Sequence, residues 1–238
     1  MRKLVSLPII MQMRSAWPNV FILSLLISSS SGLSSRDGQM DGSVSGDEEM
    51  ARLLEGEILV ENTRTDESGG SVRVQALMYS ELTEIWRFIA SCESVFKYVQ
   101  GLRLCELISV VEGPGMDTTT LRQSVKKSWI IPKIDYIMEV RRYPMERIDF
   151  NLLEGDLKAM DGGWRFNVLP DDQGIVVTHE IRVRPSFPVP KWLIRKSMAR
   201  DIPNMLACLR GLTGGSGNLP VEQDLNRCPK ERKPKNPD

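Results

Sequence analysis

The feature that most constrains the fold is a succession of short alternating segments that ends in one long helical stripe. Between residues 104 and 183, apolar and polar residues alternate in runs separated by turn residues, which predicts half-buried strands joined by tight turns. Strands so closely spaced favour an antiparallel meander. One predicted turn is Asp161-Gly162-Gly163. The predicted strands are residues 104–111, 118–130, 135–142, 147–153, 164–169 and 175–183.

Further elements are predicted before this succession. Residues 71–78 alternate and form a first strand, with 57–60 as a shorter partner across the Gly69-Gly70 turn. Apolar residues then recur at helical spacing over 82–89, and a second short helix or turn follows at 94–100.

After residue 190 the apolar period becomes that of a long helix. Pro203 lies inside this helix and is predicted to kink or divide it. The sheet has to cover its apolar face, and this helix is the only predicted element long enough to do so. The prediction is therefore an α+β fold, in which a curved antiparallel sheet wraps around a long C-terminal helix. The helical stripe consists of Ile194, Met198, Ile202, Met205, Leu209 and Leu212.

A curved sheet that wraps around one helix leaves space for a ligand between them. Strand parity makes the inner face aromatic and aliphatic, with three polar groups on it: the Tyr136 hydroxyl, the Trp164 N–H and the His179 ring. The alternative is that the same side chains fill a solid core. The residues predicted to line a cavity are Trp86, Tyr136, Met138, Phe150, Leu152, Trp164, Phe166, His179, Ile181, Ile194, Met198, Ile202 and Met205.

The two ends of the chain differ from this central part. Residues 1–33 hold basic residues, a short apolar run and then small residues, with no acid before Asp37, which predicts a signal or transit peptide. Export to the periplasm or beyond the cell is favoured. An organelle (plastid or mitochondrion) and a cytosolic chain with a misassigned start are the alternatives. Residues 34–54 are predicted to be a flexible linker, 55–212 the ligand-binding domain and 213–238 a disordered tail.

Charge and cysteine patterns narrow the classes of function. Lys+Arg and Asp+Glu both number 31, so the chain lacks the basic excess of a nucleic-acid-binding protein, and no nucleic-acid partner is predicted. No C-x-x-C pair occurs, so no zinc or redox motif is indicated. Cys92 and Cys105 are interpreted as small core residues. In an exported chain a disulfide is possible, but the pairing stays open.

Catalytic patterns are sparse. His179 is the only histidine, and its mid-strand position on an apolar face favours a structural role over that of a triad base. Glu154 and Asp156 flank Gly155, where a bend at the rim of the sheet explains them better than acid–base chemistry. No H-E-x-x-H, Walker or G-x-G-x-x-G motif is present. No catalytic residue and no metal site are therefore predicted.

Four segments in the second half of the chain match a known sequence pattern: 153–158, 163–166, 183–185 and 187–190. They resemble the START-like (SRPBCC) superfamily, and in particular its polyketide cyclase/dehydrase and coenzyme Q-binding branch. Ile85-Trp86 and 99–102 add to this resemblance, although the latter segment has Gln100 where the branch often has proline. The resemblance covers residues 70 to 212.

The resemblance implies a helix-grip fold with a cavity for lipids, quinones or polyketide-like molecules. The leading hypothesis is non-enzymatic binding or transport of a lipid, quinone or isoprenoid, with transient membrane contact and no cofactor beyond a bound quinone or lipid. A cyclase or dehydratase that uses the same cavity is the alternative. A ribosome-binding type of interaction module is the second alternative, since one fold hosts many tasks.

Overall fold

The computed structural model describes residues 46–66, 69–127, 131–215, 217 and 221–230, so the predicted signal or transit peptide lies outside the described residues. Within the described residues, no helix has both the length and the apolar character needed to cross a bilayer. The elements are α1 Gly46–Leu54, β1 Leu59–Asp66, β2 Gly69–Met78, α2 Leu82–Ala90, α3 Cys92–Tyr98, β3 Leu102–Gly113, β4 Met116–Val125, β5 Ile134–Tyr143, β6 Arg147–Gly155, β7 Leu157–Val168, β8 Ile175–Pro185, α4 Lys191–Leu212 and α5 Val221–Leu225.

All eight strands form one sheet in the order β1-β2-β8-β7-β6-β5-β4-β3. Each neighbouring pair is antiparallel, so β3 to β8 form the predicted meander and β2 closes against β8. Helices α2 and α3 follow β2, and α4 follows β8. The predicted α+β fold class, with one long C-terminal helix and two short helices after the predicted strand 71–78, which is β2, is confirmed.

The predicted turn at Asp161-Gly162-Gly163 is wrong, because these residues lie inside β7. Gly162 pairs with Ile181, and a Cβ at Gly162 would lie 2.1 Å from the Glu180 carbonyl oxygen. The absence of a side chain at Gly162 therefore allows β7 and β8 to approach closely, and this glycine does not reverse the chain. The chain reverses instead around Gly155, whose φ of 130° is a conformation that favours glycine.

Pro203 does not divide the C-terminal helix, which runs unbroken as α4. Proline removes one hydrogen bond, and in this helix the lost acceptor is the carbonyl of Ala199, an exposed residue whose carbonyl water can reach. Beyond the proline, residues 205–211 are all buried. Their burial stabilises the continuous helix.

The predicted flexible linker at 34–54 is wrong for its last part, since 46–54 form α1. Leu53 is buried there against Leu59, Leu77 and Val176. Leu77 and Val176 point away from the main core by strand parity, so α1 covers the outer face of β1, β2 and β8. The polar composition of residues 34–54 predicted a linker, and the amphipathic pattern of this short helix was not recognised.

The predicted disordered tail at 213–238 is also wrong for residues 221–230. Helix α5 packs on α4, and a disulfide joins Cys208 to Cys228, with the two Cα atoms 4.8 Å apart. Arg210 and Asp224 form a buried, bidentate ion pair with N–O distances of 2.7 and 3.0 Å. Composition alone does not reveal either link. Residues 231–238 lie outside the described residues.

The main core fills only part of the space under the sheet. Helix α4 packs chiefly against β2 and β1. Val74, Ala76, Val177, Leu206 and Leu209 are fully buried in the core. The inner face of β4 to β7 lies beyond this packed region, and that is where the cavity forms.

Candidate functional site

The inner face of the meander borders a cavity of about 280 Å³. Helices α2 and α3, strands β3 to β8 and helix α4 all contribute to its wall, which is mostly apolar. This volume is near the lower end of the ~300–1,000 Å³ that is usual for drug-sized ligands. The residues predicted from sequence that line it are Tyr136, Met138, Phe150, Trp164, His179, Ile181, Ile202 and Met205.

A second cavity of about 180 Å³ adjoins the first. Val125, Ile134 and Ile202 line both, so the two spaces share a wall. Ile194 and Met198, from the predicted helical stripe, line the second cavity. An elongated molecule can therefore lie along both.

Three predicted residues do not line either cavity: Trp86, Leu152 and Phe166. Trp86 and Phe166 pack on each other with ring centroids 5.7 Å apart, beside the main core. Leu152 lies just beyond Asn151, the last β6 residue that pairs with β7, where the two strands diverge. Parity placed Leu152 and Phe166 on the inner face but did not show that this face meets no cavity at their positions along the strands, while Trp86 lies on α2, where parity does not apply.

The sequence prediction missed the contributions of α3 and β4. Val95 and Tyr98 of α3 line the first cavity, as do Thr119, Leu121 and Gln123 of β4. The signal in β4 was its alternation, in which Thr119 and Gln123 share a face with Leu121. Two buried polar residues on an otherwise apolar face indicate a wall with hydrogen-bonding groups.

Tyr136 and Gln123 form a polar pair in the cavity wall. The Tyr136 hydroxyl donates to Gln123 Oε1 at 2.8 Å. Burial raises the pKa of Tyr136 well above its ordinary value, because the phenolate would lose its hydration. The hydroxyl therefore stays protonated and remains a donor.

Arg142 also borders this cavity, in a fixed position. Its Nε donates to Asp117 Oδ1 at 2.6 Å, and Nη1 donates to the Ala90 carbonyl at 3.2 Å. Nη2 donates to Thr119 Oγ1 at 2.5 Å. These bonds tie β5 to β4 and to the end of α2, and Asp117 balances the charge.

His179 is buried and held by one hydrogen bond and one stacking contact. Its Nδ1 lies 3.0 Å from the Gly163 carbonyl oxygen, and its ring stacks on Trp164 at 4.0 Å between centroids. A carbonyl only accepts, so Nδ1 carries the proton and Nε2 presents a lone pair. Burial lowers the pKa of His179 to about 4, although the Gly163 bond acts in the opposite direction.

The protonation state of His179 limits its chemistry. A general base works best with a pKa near the working pH, and an imidazole with a pKa of about 4 is a weak base at neutral pH. Among the described residues that line the two cavities there is no Asp or Glu to orient it. The His179 imidazole is therefore well suited to accept a hydrogen bond and poorly suited to remove a proton.

Lys127 closes the wall between β4 and α4. Its Nζ donates to Asp201 Oδ2 at 3.0 Å, and Lys127 lines both cavities. Burial raises the pKa of Asp201, but Lys127, Arg200 and Ser197 outweigh it and hold that pKa below its ordinary value. The carboxylate is therefore charged, and the bridge links the sheet to the helix beside the shared wall.

Cys92 and Cys105 form a disulfide, with Cα atoms 5.5 Å apart, and both line the first cavity. The interpretation of the two as small core residues is wrong, because α3 folds back onto β3 and brings them together in one of the disulfides that the sequence left open. Cys208 and Cys228 form the other disulfide, and the described residues hold no free cysteine. The first link fixes α3 as part of the cavity wall.

Of the two carboxylates beside Gly155, Asp156 has a structural contact. Asp156 Oδ2 accepts a hydrogen bond from the Asp135 backbone N–H at 2.9 Å. Glu154 and Asp156 are exposed, and neither lines a cavity. Asp156 therefore stabilises the bend between β6 and β7.

Solved structures resemble the chain in fold. The STAR-related lipid transfer protein of Xanthomonas axonopodis is 12% identical and superimposes with a TM-score of 0.53, covering 66% of this chain and 92% of its own. A protein from Thermus thermophilus is 21% identical with a TM-score of 0.50, covering 60% of this chain and 96% of its own. At such identities the likeness shows the fold alone. No curated protein matches the chain.

One family model matches the chain in sequence. It is described as polyketide cyclase / dehydrase and lipid transport, and it matches residues 81–210, from the start of α2 almost to the end of α4. This range contains α3, the whole meander and most of α4, and hence nearly all of the cavity wall. The chain belongs to the polyketide cyclase / dehydrase and lipid transport family.

Proposed function

We propose that this protein binds or transports a hydrophobic small molecule, such as a lipid, quinone or isoprenoid, without chemically changing it. The observation that carries the proposal is the apolar cavity of about 280 Å³ between the meander and α4. Burial of apolar ligand surface there contributes roughly 25 cal/mol per Å². The family to which the chain belongs includes lipid transport in its description.

The polar groups of the wall suggest the shape of the ligand. His179 Nε2 offers an acceptor to a ligand hydroxyl, while Tyr136 and Gln123 form a second polar point in the wall. The remaining wall is mostly apolar, and the adjoining second cavity lengthens the space. A ligand with an apolar body and one hydrogen-bonding end fits this arrangement best.

The test uses the purified full chain. Native mass spectrometry after mild purification should show a co-purified apolar ligand, and titration with ubiquinone or oleate should quench tryptophan fluorescence. A protein that purifies without a ligand, and whose tryptophan fluorescence does not change with either compound, would count against the proposal.

Phe150→Asp should abolish ligand binding, because a carboxylate in an apolar cavity costs several kcal/mol unless it is neutralised or paired. Val168→Asp is the matched control: it adds the same charge to the neighbouring strand, but Val168 is 60% exposed and lines neither cavity. Circular dichroism verifies that both variants fold. Equal binding by the two variants would place the ligand elsewhere.

A cyclase or dehydratase that uses the same cavity is the second candidate. The family description includes these activities, and the His179 imidazole is a candidate proton acceptor in the cavity wall. This candidate predicts that His179→Gln abolishes turnover of a polyketide substrate while binding persists. Turnover that is unchanged in His179→Gln would remove His179 from any catalytic role.

We also propose that the chain matures in an oxidising compartment after export. The two disulfides support this, because such bonds persist outside the reducing cytosol. N-terminal sequencing of the mature protein should show removal of roughly the first 33 residues, with no thiol available to alkylating reagents until a reductant is added. Cytosolic protein with four reactive thiols would contradict this location.

A further inference from the structure

We propose that the exposed face of the first half of α4 docks on an anionic phospholipid bilayer. Trp192, Arg195 and Lys196 lie at i, i+3 and i+4, so they share one face of the helix. All three side chains are exposed, Trp192 by 63%. Among the described residues, neither Arg195 nor Lys196 forms an ion pair.

The charge of this segment is complementary to an anionic surface. Residues 191–200 contain four basic residues and no acidic one. The next acid along the chain, Asp201, is 7% exposed in its side chain and is already paired with Lys127 and Arg200. Arg195 and Lys196 therefore give the exposed face its positive charge. Indole rings favour the headgroup region of a bilayer, and each nearby cation adds attraction to anionic lipids.

The opposite face of the same helix borders the second cavity. Ile194 and Met198 point into that cavity, while Leu193, Phe187 and Val189 line it from the helix start and the segment before it. Docking through Trp192 would place this cavity next to the bilayer. That consequence rests on the proposed binding function, whereas the docking itself does not.

A second apolar surface exists on β3, at the edge of the sheet. Leu107, Ile108, Val110 and Val111 are between 45% and 65% exposed. This strand carries one Arg and two Glu, so it lacks a cationic field. Its pairing with β4 is also interrupted between Leu107 and Ser109, an irregularity that disfavours addition of a further strand. Charge therefore favours α4 as the docking surface for anionic lipid.

The experiment is co-sedimentation of the full chain with vesicles of phosphatidylcholine alone or with 30% phosphatidylglycerol. Binding should require phosphatidylglycerol and weaken at high salt, since surface charge attraction is screened. Arg195→Glu/Lys196→Glu should weaken binding about tenfold or more. Trp192→Ala, made alone in the native chain, should also weaken vesicle binding, but it should leave the salt dependence of binding unchanged.

The matched control is Arg87→Glu/Lys97→Glu, which makes the same change in net charge at two exposed basic residues on α2 and α3. Basic residues near both termini remain in both variants, so their contribution is common. Equal vesicle binding by the two double variants would overturn the proposal.

Loss of binding in Val111→Asp but not in Arg195→Glu/Lys196→Glu would assign docking to β3 instead. Fluorescence titration with oleate tests the cavity separately, so failure of ligand binding and failure of docking are distinguishable.

Discussion

At the scale of single residues, His179 shows how burial sets chemistry. The same imidazole in water has a pKa of about 6.5, and in the fold burial lowers it to about 4. The reason is that the ring lies between Trp164 and Phe150, with only the Gly163 carbonyl as a hydrogen-bond partner among the described residues. The residue therefore behaves as a neutral acceptor at physiological pH.

This pKa predicts a pH dependence of stability. Between pH 6.5 and pH 4 the unfolded chain binds a proton at His179 that the folded chain does not bind, so stability falls as the pH falls through this window. The loss from pH 7.5 to pH 5 should be about 2 kcal/mol. Urea unfolding at both pH values should show this loss for the native chain and a smaller one for His179→Gln. Identical losses would mean that His179 is not buried as described.

Gly162 illustrates a steric requirement at the same scale. Gly162→Ala should destabilise the fold by about 3 kcal/mol or more, because its Cβ would lie 2.1 Å from the Glu180 carbonyl oxygen and 2.7 Å from the Phe150 ring. Gly46→Ala, which meets nothing within 4 Å, is the control. Thermal unfolding compares the two. Similar melting temperatures would contradict the close approach of β7 and β8.

At the scale of elements, the important feature is the attachment of α5 to α4. Arg210 is buried, and its guanidinium reaches both Asp224 and the Gly56 carbonyl, so one side chain joins α4, α5 and the turn after α1. The Cys208–Cys228 disulfide closes a separation of 20 residues and contributes about 3 kcal/mol in the chain-entropy model. The C-terminal segment is therefore part of the folded domain.

Asp224→Ala should destabilise the protein by about 3–5 kcal/mol, because it leaves the Arg210 charge buried without its partner. Glu222→Ala changes an exposed carboxylate on the same helix and should cost much less. The free energy of unfolding of the oxidised protein in guanidinium chloride measures both. A cost for Asp224→Ala no larger than that for Glu222→Ala would show that α5 does not dock.

At the scale of the whole molecule, the sheet has two regions with different packing. Helix α4 packs against β2 and β1, where the core is solid, whereas β4 to β7 face the cavity. The two alternatives left open by strand parity, a filled core and a cavity, are thus both present in different parts of one sheet.

This division predicts unequal hydrogen exchange. Amides of β2, β8 and the C-terminal half of α4 should exchange slowest, because their opening exposes the solid core. Amides of β5 and β6 should exchange faster in the empty protein and slow down when oleate is bound, since a ligand that binds only the folded state stabilises it. Hydrogen exchange followed by mass spectrometry resolves the strands. Uniform protection with no response to oleate would contradict the division.

The sequence by itself determined the eight strands, α2, α3 and α4 and their order, because strand alternation and helical periodicity are local patterns, but it did not reveal α1 or α5. It also identified the correct inner face at strand residues such as Phe150, Trp164 and His179, since parity follows from backbone geometry. It could not distinguish a glycine in a turn from Gly162, whose role depends on how closely β7 approaches β8.

Only the tertiary structure decided where α4 lies on the sheet, and hence which inner-facing residues meet a void. The same holds for the two disulfides and for the Arg210–Asp224 pair, whose partners are distant along the chain or hidden in polar segments. A local pattern records which way a side chain points. What the side chain meets depends on contacts between elements that sequence periodicity does not encode.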